Sequence, residues 1–182
     1  MSFRYCTTKL STDTSPATFV RYLFRTNSLY DPDNATGGHQ PMYFDQLGAL
    51  YDRYSVLSSK IIVNFQSAPG TTVPCLVWIR PLDVPSTQVA DPDTIREQYG
   101  VRWKLLVSQW PNTKLSMGWN CKSIMSVFEN SASWSQNPTE QRYWEIGIMS
   151  TDGSVLTAGD YQMNIWISYK AMLTARKDIV QS

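Results

Sequence analysis

The chain has 182 residues with a net charge of +1, sixteen basic side chains against fifteen acidic, and only 17% of residues charged. That is the length of one ordinary domain with its own core, and near-neutrality favours association and argues against a large exposed nucleic-acid footprint. Seven Trp and ten Tyr lift the aromatic share to 13%, as suits a protein that buries much surface, partly against neighbours, or equally a β-sandwich with many exposed tyrosines.

The opening residues, Met1-Ser2-Phe3-Arg4-Tyr5-Cys6, hold no apolar run long enough for a signal peptide. No later segment reaches the length that crosses a bilayer, so no membrane insertion is expected. Residues 1–12 read as an N-terminal arm or an extra edge strand. Val20 to Phe24 reads as the first main strand. A turn-rich stretch follows, Asn27 to Asp33, then Thr36-Gly37-Gly38-His39-Gln40-Pro41. Pro32 fixes one φ, Asp33 can bond its own backbone, and the glycines reach φ > 0 freely. From Pro41 a short helix is predicted, with Asp45 near its positive end and Arg53 near its negative end. Its greasy face is Phe44, Leu47, Leu50, Tyr51 and Tyr54 at helical spacing.

Beyond it, period two dominates. Leu57, Ser59, Ile61, Val63 and Phe65 share one face, as do Val73, Cys75, Val77 and Ile79, then Leu115, Met117, Trp119 and Cys121, and Tyr161, Met163, Ile165, Ile167 and Tyr169. Such alternation marks strands with one face on a core. Val101 to Gln109 and Tyr143 to Met149 complete the set less regularly. Ala68-Pro69-Gly70 and Pro111-Asn112 are short enough for hairpins, whereas Leu82–Gly100 and Ser123–Arg142 are long crossovers. Residues 173–182, with Arg176, Lys177 and Asp178, read as a solvated tail. The expectation is all-β: a single eight-stranded jelly-roll, or Greek-key, sandwich over residues 1–182, with one short helix after the first main strand.

Chemistry is sparse. His39 is the only histidine, a lone loop residue read as a hydrogen-bonding brace rather than a general base. No Gly-x-Ser-x-Gly elbow and no activated Cys is present, so no enzyme is expected. Cys6, Cys75 and Cys121 are odd in number and far apart, which fits reduced small hydrophobes rather than disulfides or zinc ligands. Asp31, Asp33 and Asp45 match no calcium loop. No cofactor or metal is predicted, and the Asn34-Ala35-Thr36 acceptor is read as accidental. The nucleic-acid candidates are Arg4 and Lys9 beside Phe3 and Tyr5, then Arg21 and Arg25 on the first main strand. Basic groups next to aromatics hold phosphates and stack bases of single strands; as a plainer reading, these arginines are solubilising or make subunit contacts.

The block Asn27-Ser28-Leu29-Tyr30-Asp31-Pro32-Asp33, with Gly38-His39-Gln40-Pro41, Phe44-Asp45-Gln46 and Tyr51-x-x-Tyr54, resembles the capsid proteins of circular, Rep-encoding single-stranded DNA viruses, the circovirus-like group. Weaker similarity continues through Ser59-Lys60-Ile61, Asn137-Pro138 and Tyr161 to Tyr169. The resemblance implies a jelly-roll subunit that self-assembles into a T=1 icosahedral homo-oligomer enclosing circular single-stranded DNA. It would be located in the virion, and in the host nucleus or cytoplasm during assembly, with a host receptor the sequence does not identify. Such proteins usually begin with a long arginine-rich arm that neutralises DNA and directs nuclear import. Nothing comparable precedes Phe3, so weak, sequence-indifferent binding of single-stranded DNA is expected of this chain. The rival expectation is a carbohydrate-binding sandwich that stacks sugars on Trp78, Trp110, Trp134 or Trp144. A cupin-type enzyme needs several metal ligands, which one histidine cannot supply.

Overall fold

The alternation in sequence becomes two antiparallel sheets laid face to face. The structure, a computed structural model, describes residues 1–11, 18–35, 38–85, 91–107, 112–121 and 130–178. The strands are β1 (Ser2–Leu10), β2 (Phe19–Arg25), β3 (Tyr51–Ser67), β4 (Cys75–Leu82), β5 (Arg102–Leu106), β6 (Asn112–Asn120), β7 (Ser131–Ser133), β8 (Tyr143–Ser150) and β9 (Tyr161–Arg176). Two short helices interrupt them, α1 (Phe44–Gly48) and α2 (Pro92–Glu97). Sheet one runs β1-β9-β3-β6, with β7 also on β3; sheet two runs β2-β8-β4-β5. Strands that follow one another in sequence mostly lie in opposite sheets, and this interleaving is the jelly-roll.

The inward positions are those that the alternation picks out. Tyr161, Met163, Ile165, Ile167 and Tyr169 of β9 are all buried, facing Cys75, Val77 and Ile79 of β4 and Ile146 and Ile148 of β8. One irregularity keeps the long strand β3 in phase. Its register against β9 shifts between Val56 and Ser58, so Tyr54 and Val56 point inward before the shift while Ser59, Ile61 and Val63 do so after it. A bulge adds one residue to one strand only, which reverses which parity faces the core.

Sheet two is buried on both faces along its middle. β8 is buried at every position, and β4 from Cys75 to Arg80. On the outer side Ile95 of α2 closes over Leu76, Trp78 and Met149. Asp91 caps α2 by accepting from the Thr94 amide at 2.7 Å, and Pro92 fits the first helical turn.

Several expectations change. The helix is shorter than its apolar spacing suggests: it ends at Gly48, and Tyr51, Arg53 and Tyr54 belong to β3, paired with β9 and β7. Ladder hydrogen bonds to two neighbours outweigh a weak local helical preference. Neither short connection is a hairpin. Ala68-Pro69-Gly70 carries the chain from β3 in sheet one to β4 in sheet two. Pro111 lies outside the described residues, but β5 and β6, on either side, are likewise in different sheets. It is the long Leu82–Gly100 stretch that joins adjacent strands, β4 and β5, with α2 inside it. Residues 2–10, read as arm or edge strand, pair with β9 along their whole length. β9 continues to Arg176, so strand occupies part of the stretch read as tail.

Candidate functional site

The turn block Asn27 to Gln46 leaves β2, the edge strand of sheet two, and folds back upon it. The Arg25 amide donates to the Pro32 carbonyl at 2.8 Å and the Asn34 amide to the Leu23 carbonyl at 3.0 Å. Pro32 permits this reversal, and the Asp33 carboxylate accepts the Ala35 amide at 3.0 Å, the local bond that the sequence suggests. An edge that would otherwise display unpaired backbone groups is thereby covered.

Arg25 ties the reversal together. Its guanidinium donates to the Asp31 carbonyl and carboxylate at 2.8 and 2.7 Å, to the Asp33 carbonyl at 3.2 Å, and to Gln141 at 2.6 Å. The Asp33 carboxylate also meets Lys9 Nζ at 2.6 Å, binding the block to β1.

Beneath the reversal lies a buried polar network that joins four separated segments. Asn27 Nδ2 donates to Asn130 Oδ1 at 2.8 Å and to the Glu140 carbonyl at 2.7 Å, while Asn27 Oδ1 accepts the Arg142 amide at 3.0 Å. Ser28 Oγ donates to Asn137 Oδ1 at 2.6 Å, and the Tyr54 hydroxyl donates to the Gln136 carbonyl at 2.9 Å. Around it, Phe44 stacks on Trp134 with ring centres 4.6 Å apart, and the Trp134 indole N–H donates to the Phe44 carbonyl at 3.0 Å. A satisfied network of this kind fixes one arrangement, because each lost partner would leave a buried group unpaired. His39 is exposed and stacks on Tyr5 at 4.5 Å.

A second buried cluster lies on the outer side of sheet two. Glu145 accepts from Arg80 Nε and Nη2 at 2.7 and 2.9 Å, from Arg21 at 2.9 Å and from the Trp78 indole at 3.1 Å. Arg80 stands directly opposite Glu145 in the β4–β8 register, and Trp78 opposite Gly147. The Trp78 ring lies flat across Gly147, where any Cβ would overlap it. Glycine is required there for close approach rather than for its φ.

Burial controls the acidity of the phenols at this end of the sandwich. Loss of water, reinforced by the Asp33 carboxylate, pushes Tyr5 up to about 12. Burial likewise raises Tyr54 and, most strongly, Tyr169.

Of the six nucleic-acid candidates, five are engaged within the subunit. Phe3 and Tyr5 are core residues at 3% and 1% exposure and have no free ring face for a base. Lys9, Arg21 and Arg25 are held by Asp33, Glu145 and Asp31. Arg4 alone points outward from β1. The partners that sequence reading missed, Asn130, Trp134, Gln141 and Glu145, are 65 to 124 residues from Asn27, Phe44, Arg25, Arg80 and Arg21, which they meet, and carry no local signal. Asp31 and Asp33 are spent on Arg25 and Lys9 while Asp45 is exposed, and no group of three His, Cys, Asp or Glu side chains gathers among the described residues. Among the described residues no helix is long and apolar enough to cross a membrane.

The sugar-stacking expectation is corrected here. Trp78 and Trp144 are buried, Trp134 is stacked on Phe44, and Trp110 lies outside the described residues. Trp78 looked exposed in sequence because Val77 and Ile79 claim the opposite face; α2 buries that second face as well.

No protein-family model matches the chain, and no curated protein sequence is similar to it. Solved structures are similar in three dimensions. The structure of Cocksfoot mottle virus superposes with a TM-score of 0.56 at 10% identity, over 97% of each chain. The nora virus structure gives 0.55 at 13% identity, over 98% of this chain and 60% of that one. The fold is a jelly-roll, as it is in these virus structures. At these identities the likeness is one of fold and extends to no particular residue.

Proposed function

We propose that this protein is a structural capsid subunit that self-assembles into a T=1 icosahedral shell around a circular single-stranded DNA genome. The observation that carries the reading is the turn block. The residues of Asn27 to Gln46 that resemble the circovirus-like capsid proteins also fold into the clamp that closes one end of a capsid-type jelly-roll. Its polar groups are spent on holding loops, so the block serves shape rather than turnover, and the role is non-enzymatic. Many weak, self-complementary contacts per subunit give a stable particle while each contact stays reversible. The virion is the location that follows, with assembly in the host nucleus or cytoplasm.

Sedimentation velocity and electron micrographs of purified protein test this. We expect particles of megadalton size, or pentamer-like precursors, in place of a 20.8 kDa monomer. A strict monomer at every salt concentration and pH tried would overturn the reading, and a small fixed oligomer that binds glycans would restore the lectin alternative.

A further inference from the structure

The near-zero net charge conceals a polarised surface. In the sheet-one register, Arg4 stands opposite Ser168, which stands opposite Lys60; Lys170 lies opposite Ser2 and Ser58; Lys114 lies opposite Asn64. All these positions share the parity of Trp166, which is 43% exposed, whereas the other parity fills the core. Arg4, Lys60, Lys114 and Lys170 are therefore on one outer face, exposed, around a half-exposed indole. Across β1, β6 and β9 there is no carboxylate, and the only one in β3, Asp52, is near its start. Every ion pair among the described residues involves other cations.

We propose that this outer face of sheet one is a binding surface for single-stranded DNA. The choice of DNA rests on the capsid reading above; the choice of face rests on the register. Strands lie about 4.8 Å apart, so Arg4 and Lys60, two strands apart, are roughly 10 Å from each other, and outward residues along a strand are spaced by about 6.7 Å. Arg4, Lys60 and Lys170 at that spacing, with Lys114 roughly 14 Å from Lys60, track a phosphate backbone, and an indole between them offers a base a stacking surface without preference for sequence. A face with no carboxylate among its outward residues repels no phosphate. A double helix hides its bases and gives the indole nothing to stack on, so the single strand is the better fit.

The test is fluorescence anisotropy of a labelled short oligothymidylate with the whole chain, from about 50 to 200 mM salt, the range in which phosphate contacts are lost. Four phosphate contacts predict a log–log salt slope near −3, at ~0.7 per contact for single strands. The combined R4Q, K60Q and K170Q variant is expected to lose binding tenfold or more, and W166A ~fivefold or more. K104Q, an exposed lysine of sheet two, is expected to bind as the parent does. A footprint needs no variant. Cys6 is opposite Trp166 on the same face and is exposed while Cys75 and Cys121 are buried, so saturating oligonucleotide should slow maleimide labelling of Cys6.

Parent-like binding by the triple variant, unchanged Cys6 labelling, or no binding at low salt would overturn the proposal. Tenfold tighter binding of oligouridylate would overturn its commitment to DNA. Sedimentation in parallel separates the two readings. Particles that bind DNA independently of these residues refute the face and leave the capsid; a monomer that binds through them refutes the capsid and leaves the face.

Discussion

At the scale of single residues, the most demanding positions serve close approach and buried charge. Gly147→Ala would drive a methyl group into the Trp78 ring. We expect it to cost roughly 1–3 kcal/mol, as overpacking does, and a Trp78→Leu background should absorb much of that cost in a double-mutant cycle of denaturant midpoints. Glu145→Gln removes a carboxylate, 1% exposed, that accepts from Arg80, Arg21 and the Trp78 indole. Breaking a buried pair typically costs about 3–5 kcal/mol because charge is left uncompensated; a loss below about 1 kcal/mol would show that the cluster is solvated.

The buried phenols set an alkaline limit. Tyr5 is held up at about 12 from its ordinary 10.0 by burial and by Asp33, and Tyr54 and Tyr169 are shifted in the same direction. A raised folded-state value means that the unfolded chain loses these protons first. Stability is therefore unaffected by the phenols below pH 10 and falls as pH rises from about 10 towards 12. Exposed rings such as Tyr43 and Tyr99 ionise without unfolding, so alkaline unfolding should coincide with a second, delayed rise of phenolate absorbance from the buried rings; a complete rise before unfolding would mean that the buried rings are accessible.

At the scale of elements, α1 and the loop after β7 stand or fall together through Phe44 and Trp134. Phe44 is 2% exposed, and Phe44→Ala should cost about 3–5 kcal/mol. Leu47, by contrast, only packs partly against the core, so Leu47→Ala should cost clearly less. Thermal midpoints of the two variants check the order, and equal losses would mean that the short helix is seated differently. The five residues of α1 cannot stabilise a helix by themselves; the stacked indole and the fold-back onto β2 hold it.

At the scale of the whole molecule, the jelly-roll leaves β1 at one edge of sheet one and β5 at one edge of sheet two, while the turn block covers part of β2. Available edges and loops are what copies of a subunit use to meet. Raising salt should weaken contacts that rest on charge and strengthen those that rest on apolar burial. With only 17% of residues charged, we expect particles to persist, in sedimentation, at salt concentrations that abolish DNA binding. Dissociation of particles and DNA at the same salt would mean that nucleic acid holds the shell together.

Sequence alone determined the all-β class, the core face of most strands and the local chemistry of the fold-back. Those are short-range matters: period two fixes which side chains share a face, and Pro32 with Asp33 fixes a turn within a few residues. The start of β3 was illegible because Phe44 to Tyr54 carries helical spacing, and only pairing with β7 and β9 decides against it. Trp78 could not be placed because burial of a strand's second face depends on α2, a separate element. The network of Asn27, Asn130, Asn137 and Tyr54, and the internal use of Lys9, Arg21 and Arg25, were decided by tertiary structure for the same reason. Asn27 and Asn130, like Arg21 and Glu145, are more than a hundred residues apart and meet only when the sheets close, while Lys9 and Arg25 reach Asp33 and Asp31 only once the turn block folds back; a cation that finds a carboxylate there is no longer available to a phosphate. The charged face of sheet one had the same origin: Arg4, Lys60, Lys114 and Lys170 are scattered along the chain, and register alone makes them neighbours.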